Sequence, residues 1–166
     1  MVRALPVIFG VTLIELLVVL ALIAILAAVA VPLFSAQRLE WRLRAQAGQL
    51  ISAIWVARST ALKTRRPVML CPAHGKSCIG TYTAGFAVYG SAGELVRLFP
   101  PRPGVHVYGR SGGSEVSRPV SWGGDGLANR NLTFLFCTKG TDANWSVVLN
   151  RVGRPRLVRN WGICPG

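Results

Sequence analysis

The sequence predicts an α+β fold, with one long N-terminal helix packed on an antiparallel β domain. Three observations predict it. The chain opens with an apolar run, Leu16 to Phe34, that holds no charged side chain. It continues with apolar residues at three- and four-residue steps, the spacing of one helix face. Past Pro67 the period changes to short β-like runs set between glycines and prolines.

Residues 1–10 carry one basic residue, Arg3, and read as a short leader rather than as folded structure. Helix begins near Thr12. At about 1.5 Å per residue the apolar run spans the ~30 Å hydrocarbon core of a bilayer, so residues 11–34 are expected to be a transmembrane half-helix. Glu15 stands at its head. An ionised carboxylate at that depth costs roughly 2.5–3.5 kcal/mol unless it is paired, so Glu15 calls for a cation. Pro32 removes a backbone hydrogen bond and is expected to kink or locally melt the helix.

Residues 35–166 form the expected globular domain. Leu39, Leu43, Ala47, Leu50, Ile54, Ala57 and Ala61 make the buried stripe of the helix, with Arg38, Arg42, Gln46 and Gln49 on other faces. The helix ends near Thr64, because Pro67 pushes Arg66 out of helical geometry. The expected strands are Val68–Cys71, Gly85–Tyr89, Glu94–Phe99, Val105–Tyr108, Val120–Trp122, Leu132–Cys137, Trp145–Asn150 and Pro155–Arg159. Gly90 to Gly93 reads as a hairpin loop. Gly109 to Arg118, rich in Gly and Ser, reads as a mobile loop.

The chain has 166 residues, about one domain plus an anchor. Beyond Phe34 stand eighteen Lys+Arg against five Asp+Glu, so the net charge of +13 belongs to the domain. Such a field favours polyanions: nucleic acid, acidic lipid surfaces or an acidic protein. Arg makes up most of it and suits bidentate phosphate contact. All four cysteines also lie in the domain, and an even count in a small exported domain suggests disulfides. Three pairings are possible. Cys71–Cys78 is expected because its loop is local, and Cys137–Cys164 then follows by elimination. Counted by charge alone, Arg38, Arg42 and Arg44 would hold the domain in the cytoplasm. The cysteines argue for the outside.

Cys71-Pro-Ala-His74-Gly-Lys-Ser-Cys78 has the C-x2-H-x3-C spacing of a partial zinc site, but a fourth ligand is not nearby and the disulfide is preferred. His106 alternates with Val105 and Val107 and reads as a surface side chain. Nucleophile, zinc-protease and phosphate-loop motifs are absent from the sequence, and the six acids are scattered singly. The chain reads as a non-enzyme without cofactor or metal. Five tryptophans could stack on bases, though most are expected in the core; Trp161, following Arg159, is the exception worth testing. Arg151, Arg154, Arg156 and Arg159 fall within nine residues with no acid among them. Val152-Gly153-Arg154 reads as a tight turn that projects Arg154 into solvent, with Gly153 able to approach a phosphate closely.

Phe9-Gly10-Val11-Thr12-Leu13-Ile14-Glu15 and the apolar run behind it resemble the type III signal of type IV pilins and type II secretion pseudopilins. The resemblance implies that a prepilin peptidase cuts after Gly10 and that the new N-terminus, Val11, is methylated; most of the family has phenylalanine there. It also implies that Glu15 meets the N-terminal amine of a neighbouring subunit during assembly. Ala57-Arg58-Ser59-Thr60-Ala61 with Pro67-Val68-Met69-Leu70-Cys71, and Leu132 to Cys137 with Val152-Gly153-Arg154-Pro155-Arg156, resemble the GspH/FimT branch. That branch implies a pilin-like fold and a low-abundance fibre subunit whose partners are other pilins or pseudopilins. It implies insertion in the bacterial inner membrane with the domain in the periplasm, then a pilus fibre at the cell surface. In FimT-like pilins a Gly-Arg-x-Arg tail is associated with DNA binding during natural transformation, and Gly153-Arg154-Pro155-Arg156 fits it residue for residue. The resemblance therefore favours a minor pilin that binds double-stranded DNA non-specifically through Arg151, Gly153, Arg154, Arg156 and Arg159. The alternative is a GspH-type minor pseudopilin of a type II secretion system.

Overall fold

The computed structural model describes residues 12–139 and 144–165; within the long helix the side chains at 29, 31–33, 35 and 36 are outside the description. Gly10 and Val11 lie outside the described residues. The chain divides into two compact units, one ending at Gln37 and the other starting at Arg38.

Helix α1 covers Leu13–Thr64. It starts on Thr12, whose hydroxyl oxygen accepts the Glu15 N–H at 3.3 Å and whose carbonyl accepts the Leu16 N–H. Thr12-x-x-Glu15 is the spacing of a capping box, so the local sequence starts the helix. In the first unit Leu13, Ile14, Leu16, Leu17, Leu20 and Ile23 are each more than half exposed. Such a continuous apolar surface requires a partner. Among the described residues no helix is long and apolar enough to cross a membrane. The expected span, Leu16 to Phe34, includes positions whose side chains lie outside the description.

In the second unit the helix turns one stripe inward. Leu43, Ala47, Leu50, Ile54, Ala57 and Ala61 are fully buried, as their spacing requires, while Leu39 is only half-buried. Each buried Leu or Ile contributes roughly 1.5–3 kcal/mol, and the alanines let the helix lie close to the sheets. Gln46, expected on a polar face, is instead 1 % exposed. It falls one turn from Leu43 and Leu50, and the stripe is wide enough to enclose it. The helix stops at Thr64; Arg65 takes φ of 53°, the left-handed conformation that ends a helix, ahead of Pro67.

Eight strands follow among the described residues: β1 Val68–Pro72, β2 Phe86–Tyr89, β3 Leu95–Phe99, β4 His106–Tyr108, β5 Val120–Trp122, β6 Leu132–Cys137, β7 Trp145–Leu149 and β8 Pro155–Arg159. They pair antiparallel in two four-stranded sheets, ordered β3-β2-β1-β5 and β4-β6-β7-β8. One core joins both to the helix stripe through Leu70, Phe86, Val88, Trp122, Phe134, Phe136, Val147 and Leu149. The Gly90–Gly93 hairpin forms as expected: Gly93, at φ 80°, donates to Gly90 O, and Gly90 N–H donates to Glu94 O.

The Gly109–Arg118 segment has no strand, but it is fastened rather than loose. Gly109 N–H donates to Ser114 O, Val116 N–H to Val107 O, and Tyr82 N–H to Val116 O. Its one buried apolar side chain, Val116, anchors it in the core.

Candidate nucleic-acid interface

The arginine-bearing end of the chain is a β-hairpin of β7 and β8, with β8 at the free edge of its sheet. Pro155 opens β8, where a residue lacking an N–H disturbs the ladder least. The connecting turn is pinned by side chains of the kind that favour turns. Asn150 accepts Gly153 N–H on its carbonyl at 2.9 Å and Arg154 N–H on its side-chain oxygen at 3.1 Å. Asn131 Oδ1 accepts Arg151 N–H at 2.7 Å, and Arg151 O accepts Ala128 N–H. The N–H groups of Arg151, Gly153 and Arg154 are thus engaged while the side chains of Arg151 and Arg154 stay exposed.

Gly153 differs from its expected role. It is buried, at φ 77°, and a methyl there would stand 2.7 Å from Gly126 O and 2.9 Å from Trp122 Nε1. The glycine is needed for close approach, but toward the protein's own core, and its N–H is already used. The solvent-facing donors of this turn are the guanidinium groups of Arg151 and Arg154.

The four arginines do not act as one tail. Arg156 lies opposite Val148 and Arg159 opposite Trp145, so strand alternation sends the two to the same or opposite faces according to their odd or even spacing. Three residues apart, they leave opposite faces of β8. Arg159 turns to the helix side and forms an ion pair with Glu40 at 2.8 Å. Arg156 is exposed on the other face. Across that outer face runs the chain end. Ser146 Oγ donates to Trp161 O, Asn144 Nδ2 donates to Gly162 O at 3.3 Å, and Cys164 is joined to Cys137. Trp161 is half-buried there, with the Arg110 guanidinium carbon 4.7 Å from its ring centroid.

Cys71 is joined to Cys78, so both expected pairs form and the C-x2-H-x3-C cysteines are consumed, leaving His74 exposed. His106 faces away from Val105 and Val107 as expected, and its Nδ1 lies 3.1 Å from Glu115 Oε1. Burial by itself would raise the Glu115 pKa. Hydrogen bonds from Thr81, His106 and Thr83 together outweigh it and hold the carboxyl below its ordinary value.

Sequence reasoning missed Arg58 as part of this region. Its Nε donates to Gly126 O at 3.2 Å, the same oxygen against which Gly153 packs. The contact joins residues far apart in the chain, and the helical spacing of Arg58 alone carried no sign of it.

A long helix whose second half packs on two antiparallel sheets, with a disulfide-tied chain end, defines a pilin-like protein. The chain belongs to the GspH family: residues 46–153 match the family model described as type II transport protein GspH. It is a pilin-like minor pilin or pseudopilin of the GspH/FimT kind, a structural subunit of a type IV pilus or type II secretion fibre. Among solved structures it is similar to the type IV minor pilin FimU of Pseudomonas aeruginosa PAO1, at 19 % identity over 70 % of this chain and 87 % of that one, TM-score 0.55. A second crystal form of FimU matches at 20 % identity over 70 % and 92 %, with the same TM-score. The minor pseudopilin EpsH of the Vibrio cholerae type 2 secretion system matches at 12 % identity over 70 % and 96 %, TM-score 0.52. No curated protein sequence matches the chain.

Proposed function

We propose that this subunit is a minor pilin of a type IV pilus that binds double-stranded DNA without sequence preference, for DNA uptake in natural transformation. The observation that carries the reading is the Asn150–Arg154 turn, whose rigid backbone presents Arg151 and Arg154 to solvent beside the exposed edge-strand Arg156. Guanidinium groups on an edge reach phosphates but carry no helix into a groove, so contact is to the backbone of the nucleic acid. Arg159, held by Glu40, has a lesser part. Cleavage after Gly10 by a prepilin peptidase, methylation of Val11, anchoring of residues 11–34 in the inner membrane and pairing of Glu15 with a neighbouring subunit's amine belong to the same reading. The alternative is a GspH-type pseudopilin of a secretion fibre, which the description of the matching family favours.

The test is DNA affinity of the purified full-length chain as a function of salt. Each phosphate contact releases roughly 0.9 counterion from B-DNA. Replacing Arg154 and Arg156 together with Gln is expected to weaken binding strongly and reduce the salt slope by up to about two units. Arg38→Gln with Arg42→Gln is the control for bulk charge. Equal losses from the two pairs would remove the DNA reading and leave the pseudopilin.

A further inference from the structure

The turn that presents Arg154 does not end at the hairpin. Gly126 O is wedged between Gly153 and the Arg58 Nε, so helix α1 and the hairpin meet on one carbonyl oxygen. Arg58 is held by that bond, and its guanidinium carbon stands 5.7 Å from the ring centroid of Trp55, one helical turn earlier. Trp55 is 46 % exposed; Trp41, on the same helix, is 70 % exposed, but of the two only Trp55 carries an arginine over its ring. Leu62, the next turn along the same face, is 46 % exposed and packs beneath Gly126. Leu127 and Val152, each next to one of the two glycines, are both 50 % exposed. Asp125 borders the patch; one of its oxygens accepts the Leu127 N–H, and its charge is outnumbered by Arg58, Arg151 and Arg154.

The surface is therefore cationic and apolar at once. A duplex turns its phosphates outward and keeps its bases stacked inside, so it satisfies the arginines and leaves the indole and the apolar side chains without partners. A second copy of this chain would set these arginines against another domain of strong positive charge. An unpaired strand satisfies both needs, because phosphates meet guanidinium groups while bases, each with an apolar π-face, cover the indole. We propose that Trp55, Arg58 and the Arg154 turn form one surface for single-stranded DNA, with a base stacked on Trp55 and phosphates held by Arg58 and Arg154. The inference rests on the DNA reading of the hairpin and adds to it the helix and a preference for unpaired strands.

Fluorescence anisotropy with labelled oligothymidine and a labelled duplex of equal length, on the full-length chain, tests it. Trp55→Ala is expected to weaken oligothymidine binding by about fivefold to a hundredfold while leaving duplex affinity within about twofold. The salt slope is expected to stay unchanged, because no phosphate contact is lost. Trp55→Phe, which keeps a stacking ring, is expected to recover most of the loss and serves as a check on folding. Arg58→Gln is expected to reduce the oligothymidine salt slope by about 0.7 unit. Equal effects of Trp55→Ala on both ligands, or none on either, overturn the inference. So does a loss of incorporation into sheared fibres at unchanged DNA affinity, which would make the patch a subunit contact. The DNA reading itself is judged separately, by the duplex salt slope of the Arg154 and Arg156 variant.

Discussion

Gly153→Ala separates the two jobs that a glycine in a Gly-Arg-x-Arg sequence could have. At φ 77° an L-residue enters the left-handed region, which costs about 1–2 kcal/mol. The new methyl would also stand 2.7 Å from Gly126 O and 2.9 Å from Trp122 Nε1, neither of them the end of a flexible side chain. Forcing a methyl into packed surroundings costs about 1–3 kcal/mol. The sum is about 2–5 kcal/mol, a large share of the roughly 5–15 kcal/mol that holds a domain folded. Gly93 provides the internal control. It has nearly the same backbone, at φ 80°, with nothing within 4 Å of the added methyl. Gly93→Ala should therefore show the backbone cost alone, about 1–2 kcal/mol. The assay is equilibrium urea unfolding of the oxidised protein followed by tryptophan emission, with the two variants compared at equal slope. If Gly153→Ala is no more destabilising than Gly93→Ala, the close approach to Trp122 and Gly126 is not what the glycine is for, and a direct part in phosphate contact returns.

Three further outcomes are expected. Replacing the cysteines pairwise with serine should cost more for Cys137–Cys164 than for Cys71–Cys78, because sequence separations of 27 and 7 close unequal loops. Chain entropy gives about 3.5 and about 2.4 kcal/mol, read from urea midpoints, with the pairing itself checked by mass spectrometry of a non-reducing digest. Glu115, whose folded pKa is lowered, adds stability that is present above its unfolded pKa of about 4.3 and lost as pH falls through the lower folded value. The urea-midpoint gap between wild type and Glu115→Gln should therefore close on acidification, and a gap that is the same at neutral and strongly acidic pH would count against the Thr81–His106–Glu115 network. Glu15→Ala should leave the protein in the membrane fraction but remove it from sheared fibres, measured by immunoblot of both; wild-type levels in the fibres would end the idea of an inter-subunit pair.

Much of the architecture was written locally. Thr12 and Glu15 start the helix, Pro67 ends it behind Arg65, and the apolar spacing from Leu43 to Ala61 marks its buried stripe. These signals work because helix caps and amphipathic faces depend on residues three or four apart. The strands were legible from short apolar runs, most of them set between glycines and prolines. Cys71–Cys78 was legible as the shortest loop available, and it left Cys137 and Cys164 to each other. What the sequence could not hold was anything set by contacts between distant segments. Gln46 reads as polar and is buried because the stripe around it closes against two sheets. Arg159 reads as one of four equal arginines, yet strand alternation sends it toward Glu40, a residue of the helix. Gly153 reads as a turn residue able to approach a phosphate and proves to be the point where the hairpin closes on Trp122. Arg58 and Trp55 join the candidate surface only through the Gly126 carbonyl. Local rules decide which elements form, because hydrogen bonds and side-chain periodicity act over a few residues. Which arginines remain unpaired and exposed is decided only when the sheets and the helix have met, since charge partners and buried neighbours come from across the fold.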